Sequence, residues 1–407
     1  MIEKHTSKNG LRIVLETIPA VRSVTIGIWV LTGSRNETQL DNGISHFIEH
    51  MFFKGTKSRS AKDIAEAFDA IGGQVNAFTS KEYTCFYAKV LDTHKELALD
   101  ILADMFFHSS FDEEEMEREK KVVLEEIKMY EDTPDDIVHD LLARAAYGEH
   151  PLGYPILGTE EHLKGFKPDT LRNYISQCYT PENVVVSIAG NVDHTFINKV
   201  ENYFGTYESN NRREEISKPI FLANNIERNK DTEQAHLCLG YEGFPVGDEY
   251  TYSLVIMNNV LGGSMSSRLF QDVRENKGLA YSVFSYHSSF LDNGLLTIYA
   301  GTGKEQLPLL QDTIKQTVDT LIDRGLTDKE LTNSKEQFKG NLMLSLESTS
   351  SRMSRNGKNE LLLKRHRTLD EMIKEIDAVN HDSIQSVIQS IFKQPASKAL
   401  IAPKVEA

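Results

Sequence analysis

His46-Phe47-Ile48-Glu49-His50 is the stretch on which the reading of this chain turns. On a helix, at about 100° per residue, His46 and His50 fall roughly 40° apart on one face. Two imidazoles so placed can grip one tetrahedral Zn2+ at Zn–N distances of about 2.0–2.1 Å. Glu49 lies about 60° from His46 on the same side, where it can reach a water held by the ion. The order inverts the commoner H-E-x-x-H pattern and is itself a metallohydrolase signature. The alternative is a helix with two surface histidines and a solvated glutamate. Ile44, Phe47, Ile48, Met51 and Phe52 surround the polar trio, so the helix is expected to be mostly buried. Imidazoles and a carboxylate there need partners, and a metal satisfies all three.

A catalytic zinc site takes a third protein ligand and keeps one position open. Asp112–Tyr130 reads as one helix with the stripe Met116, Glu119, Val122, Val123, Glu126, Ile127 and Tyr130. Glu119 and Glu126, seven residues apart, differ by only about 20° around the axis. Pairing with Lys120, Lys121 or Lys128 explains Glu113, Glu114, Glu117 and Glu125, but not acids on an apolar stripe. Glu126 is therefore the expected third ligand. Glu119 is expected behind the ligands, holding a histidine tautomer or the ligand carboxylate. Glu125 points about 100° away and is the weaker choice.

His46-x-x-Glu49-His50 followed by Arg118-Glu119-x6-Glu126 resembles the pitrilysin and mitochondrial-processing-peptidase family of zinc peptidases, peptidase family M16. Other segments agree along almost the whole chain. Gly72–Thr79 resembles the family's active-site edge strand, and Tyr179–Asn183 with Val184–Asn191 resembles the strand closing its first domain. Gly262–Phe270 and Arg274–Tyr281 resemble parts of its second domain. The resemblance implies two similar α+β domains, each a mainly antiparallel sheet flanked by helices. It also implies that Asn76, Ala77 and Phe78 meet substrate, and that Arg274 and Tyr281 contribute from the second domain. A helix-end salt bridge and a core tyrosine are the alternative for that last pair.

The chain has 407 residues, enough for two or three domains. Its 45 Lys and Arg against 60 Asp and Glu give a formal charge of -15. A nucleic-acid partner, which wants a basic face, is not expected on that ground. The acidity serves solubility, and part of it could line a cavity that attracts basic peptides. No apolar run approaches the length of a membrane span, so membrane insertion is not expected. Gly10–Leu15 is strand-like and follows neither a signal nor a transit peptide, which gives the expectation of a bacterial-type cytoplasmic protein. Cys85, Cys178 and Cys238 are scattered and odd in number, reading as buried reduced thiols.

The order of elements recurs after about 200 residues. Strand Val24–Leu31, the metal helix, helix Ala61–Ile71 and strands Gln74–Phe78 and Thr84–Leu91 come first. Helices His94–Phe107, Asp112–Tyr130 and Leu171–Gln177 and strand Val184–Ala189 follow. Strand Ala235–Tyr241, helix Tyr250–Leu261 and strands Ala280–His287 and Leu295–Ala300 repeat the plan. The second half carries Val255-Ile256-Met257-Asn258-Asn259 where the first has its metal motif. The expected division is a metal-bearing domain over 1–207, a polar linker over 208–232 and a substrate-closing domain over 233–407.

The expected activity is zinc-dependent endopeptidase chemistry, with Glu49 as general base and Val75–Phe78 as an edge that pairs with extended peptide. Longer members of the family close four such domains around a peptide. A two-domain chain completes that chamber by pairing, so a homodimer acting on unstructured peptides or presequence-like segments is expected. A non-catalytic structural or substrate-recognition homologue is the rival, and neither has any use for Glu49 between two histidines.

Overall fold

The structure is a computed structural model and describes residues 2–208 and 216–403. The chain divides into two compact units. The first gathers Met1–Lys128, Tyr154–Ile216 and Leu344–His366; the second gathers Met129–Gly153, Ser217–Met343 and Arg367–Ala407. Each unit is a sheet flanked by helices, the α+β class expected from the sequence.

The first unit is built on a six-stranded sheet of β1 (Ile2–Thr6), β2 (Arg12–Thr17), β3 (Ser23–Val30), β4 (Gln74–Thr79), β5 (Thr84–Leu91) and β6 (Val184–Gly190). Their spatial order is β1-β2-β6-β3-β5-β4, with only β2 and β6 parallel. β3 reads Ser-Val-Thr-Ile-Gly-Ile-Trp-Val and is buried from Val24 onward, as suits a central strand covered on both faces. One face packs on the helices α1 (Ile44–Phe52), α2 (Ala61–Asp69) and α3 (Lys95–His108) through Ile26, Phe86, Phe47 and Leu102. The other face carries Trp29 and Val185, and the helix Thr349–Lys358 covers it through Met353. That helix comes close because Gly357 has no side chain: a Cβ there would lie 2.3 Å from Trp29 Nε1.

The second unit has five strands, β7 (Asn225–Asn229), β8 (Ala235–Gly243), β9 (Ala280–Ser289), β10 (Gly294–Thr302) and β11 (Ser397–Ala402), in the order β7-β11-β8-β10-β9. Only β7 and β11 are parallel. One face is covered by Met257, Leu261, Ile314, Ile388 and their neighbours. The other is covered by a helix from earlier in the chain, α5 (Pro134–Tyr147), through Ile137, Val138 and Leu142; α4 (Glu113–Glu131) precedes it.

Several expectations need correction. Each unit takes a covering helix from the other side of the 208–232 stretch, which a division in chain order cannot express. Part of the expected linker, residues 209–215, lies outside the described residues, and Asn225–Asn229 is strand β7, held by its ladder to β11. On α4 the buried stripe is Met116, Glu119, Lys120 and Val123, whereas Val122 is 53% exposed. Cys85 and Cys238 are buried, but Cys178 is only partly so. No helix among the described residues is long and apolar enough to cross a membrane.

Candidate metal centre

α1 carries the first two candidate ligands, His46 and His50, and its apolar face fixes it. Ile44, Phe47, Ile48, Met51 and Phe52 are all but fully buried, each stabilising the unit by about 1.5–3 kcal/mol. Its start has no side-chain cap of its own: Gly43 is left-handed at φ 94°. Glu37 replaces the cap. Its buried carboxylate accepts from the Gly43 amide at 2.8 Å, the Ser45 amide at 2.9 Å and Asn42 Nδ2 at 2.8 Å. The Gly43 and Ser45 backbone amides are ones that the start of the helix leaves open. Burial nevertheless raises the Glu37 carboxyl, with the amide hydrogen bonds working against the rise.

One turn apart, the rings of His46 and His50 stand 4.6 Å centroid to centroid. Glu126 of α4 faces both, with Oε1 3.8 Å from His46 Nε2 and Oε2 3.4 Å from His50 Nε2. One donor atom from each of the three lies within 4.8 Å of the others, and among the described residues this is the cluster of metal-ligand types that does so. Two imidazole nitrogens and a carboxylate oxygen are a zinc donor set. The environment of His46 fits an ion as well. Its Nε2 faces Glu126 Oε1 at 3.8 Å, too far for a hydrogen bond and a gap that an ion between them would bridge. Burial and the neighbouring His50 charge push His46 down to about 4 in the metal-free chain, against Glu126. His46 is therefore neutral and ready to ligate.

His50 differs. Burial opposes its charge, but hydrogen bonds to Glu119 and Glu126 prevail and lift it to about 9. Its Nδ1 donates to Glu119 Oε1 at 2.8 Å, leaving Nε2 toward Glu126. Glu119 is 6% exposed, and its second oxygen takes Lys54 Nζ at 2.6 Å. Glu49, half-buried, accepts from the Thr79 hydroxyl at 2.6 Å. Burial raises the Glu49 carboxyl, the direction that suits a group taking and returning a proton, while Thr79 and His50 restrain the rise. Glu125 is exposed and paired with Lys128 at 2.7 Å.

Residues 12–160 match the family Insulinase (Peptidase family M16), and residues 165–338 match the Peptidase M16 inactive domain. The uncharacterized zinc protease YmxG of Bacillus subtilis is 63% identical over 403 residues, covering 99% of this chain and 98% of that one. The chain belongs to peptidase family M16. An uncharacterized zinc protease of Streptomyces coelicolor is 41% identical over 99% of this chain and 90% of its own. The crystal structure of a protease from Helicobacter pylori shares the fold at TM-score 0.93 and 23% identity over 99% of both chains. A Pseudomonas fluorescens structure described as a peptidase M16 inactive domain does so at 0.90 and 18%, over 99% and 98%.

Within this M16 chain, β4 is an edge of its sheet, paired among the described residues only with β5. Ala77 packs toward the α1 side. Its amide bonds to Asn76 Oδ1 at 2.8 Å and is turned away from β5, toward the open edge. Phe78 points to the opposite face, 5.6 Å from the Trp29 ring. In the second unit, Tyr281 is 77% exposed at the edge strand β9, so it is no core tyrosine. The Arg274 guanidinium lies 4.4 Å above its ring and 4.7 Å from Phe270, with Glu275 at 3.7 Å. Sequence reasoning missed Glu37, Lys54 and Thr79. Lys54 alone carried a signal, standing four residues after His50 on the same helical stripe.

Proposed function

We propose that this chain is a zinc-dependent endopeptidase that cleaves unstructured or presequence-like peptides and works as a homodimer. The observation that carries this reading is the convergence of His46, His50 and Glu126 within 4.8 Å, with the Thr79-tethered Glu49 beside them. Zinc on those three residues supplies Lewis acidity, acidifying a water and polarising a carbonyl. The Glu49 carboxylate takes a proton from the attacking water. As the peptide C–N bond breaks, Glu49 delivers that proton to the departing amine nitrogen. The open edge of β4 holds the peptide extended by backbone pairing at Ala77, with Asn76 turning aside to free the amide.

Each chain contributes Arg274 and Tyr281 to the site of its partner, where they bind peptide backbone. Their support is chemical: an exposed tyrosine stacked under a guanidinium offers a donor pair that no core role explains. The test is metal content together with digestion of a mixed peptide library. One zinc per chain with cleavage of unstructured peptides is expected. Stoichiometric zinc without cleavage would overturn the peptidase reading and favour a non-catalytic homologue.

A further inference from the structure

We infer that Lys54 is a positioning residue of the metal centre, holding Glu119 so that His50 presents Nε2 to the ion. The inference rests on reading His46, His50 and Glu126 as that centre. Lys54 follows His50 by four residues, in the turn that continues α1, where its amide bonds to the Met51 carbonyl at 3.1 Å. His46, His50 and Lys54 thus share one stripe. The two Glu119 oxygens are divided between partners: Oε1 takes His50 Nδ1 at 2.8 Å and Oε2 takes Lys54 Nζ at 2.6 Å. A carboxylate with one partner can pivot about its last torsion; with both oxygens engaged it is locked, and it locks the imidazole plane in turn.

The burial of the pair points the same way. A surface ion pair is ordinarily screened to little effect, but the Glu119 side chain is 6% exposed and Lys54 30%, so this pair is screened less than one on the open surface.

The test is zinc affinity of the metal-free chain, measured by competition with a chromophoric chelator, for wild type, K54M, K54R, E119Q and K54M/E119Q. K54M should weaken zinc binding by roughly 10–100-fold, the usual effect of losing a partner behind a ligand. K54R should recover most of it, and in the E119Q background K54M should change affinity less than about threefold, since its effect passes through Glu119. Melting of the metal-free variants separates this from misfolding, and K54Q repeats the comparison if K54M does not fold. K54M binding zinc as tightly as wild type, or weakening it equally with and without Glu119, overturns the inference. Failure of the wild type to bind zinc defeats the metal-centre reading itself.

Discussion

The Thr79 hydroxyl donates a 2.6 Å hydrogen bond to Glu49 Oε2, tying the last residue of the edge strand β4 to the carboxylate proposed as the base. The strand proposed to receive peptide is thereby linked directly to the group proposed to move protons. A hydrogen bond to a charged group contributes about 1.5–3 kcal/mol. T79V should therefore lower kcat roughly 10–100-fold while zinc affinity stays at the wild-type value, and T79S should stay within a few-fold of wild type. Steady-state kinetics beside a zinc titration checks this; equal kcat in T79V and wild type would show that the tether has no part in catalysis.

Sharing of sites between subunits predicts complementation. E49Q and Y281F chains should each be strongly impaired as homodimers. Mixed at equal amounts and allowed to exchange, half the dimers are hybrids with one intact site of two, so activity should return to about a quarter of wild type. Hybrids demonstrated by differential tagging without any recovered cleavage would mean that Arg274 and Tyr281 serve their own chain or none.

The second unit should lose stability in acid through Glu330. Partial burial opposes its charge, but hydrogen bonds from Arg268 at 2.8 and 2.7 Å and from the Thr327 amide at 2.8 Å outweigh this and bring it down to about 2. An unfolded glutamate titrates near 4.3. A folded value below the unfolded one gives stability that is present above about pH 4.3 and lost as pH falls toward 2. E330Q should therefore be less stable than wild type at pH 7, and the gap should narrow between about pH 4.3 and 2. Denaturant melts across that range measure the gap, and a gap independent of pH would contradict the assignment.

Gly357 should be needed for the first unit to close. A Cβ there meets Trp29 Nε1 at 2.3 Å and Cε2 at 2.6 Å, and Trp29 is fully buried. Overpacking of this kind costs about 1–3 kcal/mol, so G357A should lower the melting temperature by several degrees although alanine is the better helix former. A raised melting temperature would show that the helix Thr349–Lys358 does not pack so tightly on β3.

What the sequence revealed follows the range over which its signals act. His46, Glu49 and His50 were legible because their spacing is a property of one helix, and Glu119 and Glu126 because acids on an apolar stripe break a local rule. The edge position of β4 came from family likeness rather than residue pattern. Thr79 and Glu37 stayed hidden: each is a common polar residue whose role exists only once a strand or loop is folded against α1. β7 was missed because Asn225-Ile226-Glu227-Arg228-Asn229 is polar by composition, and its strand conformation comes from pairing with Ser397–Ala402, far along the chain. The exchange of covering helices between the two chain halves was hidden for the same reason, since no local pattern names the sheet on which an amphipathic helix lands.

Replacing Glu49 with glutamine separates metal binding from proton transfer. The amide keeps the shape and can still bond Thr79, but it cannot accept a proton. E49Q should bind one zinc per chain with wild-type affinity and cleave peptide at least about 100-fold more slowly. Cleavage by E49Q at a rate near wild type, with zinc in place, would show that Glu49 is not the base.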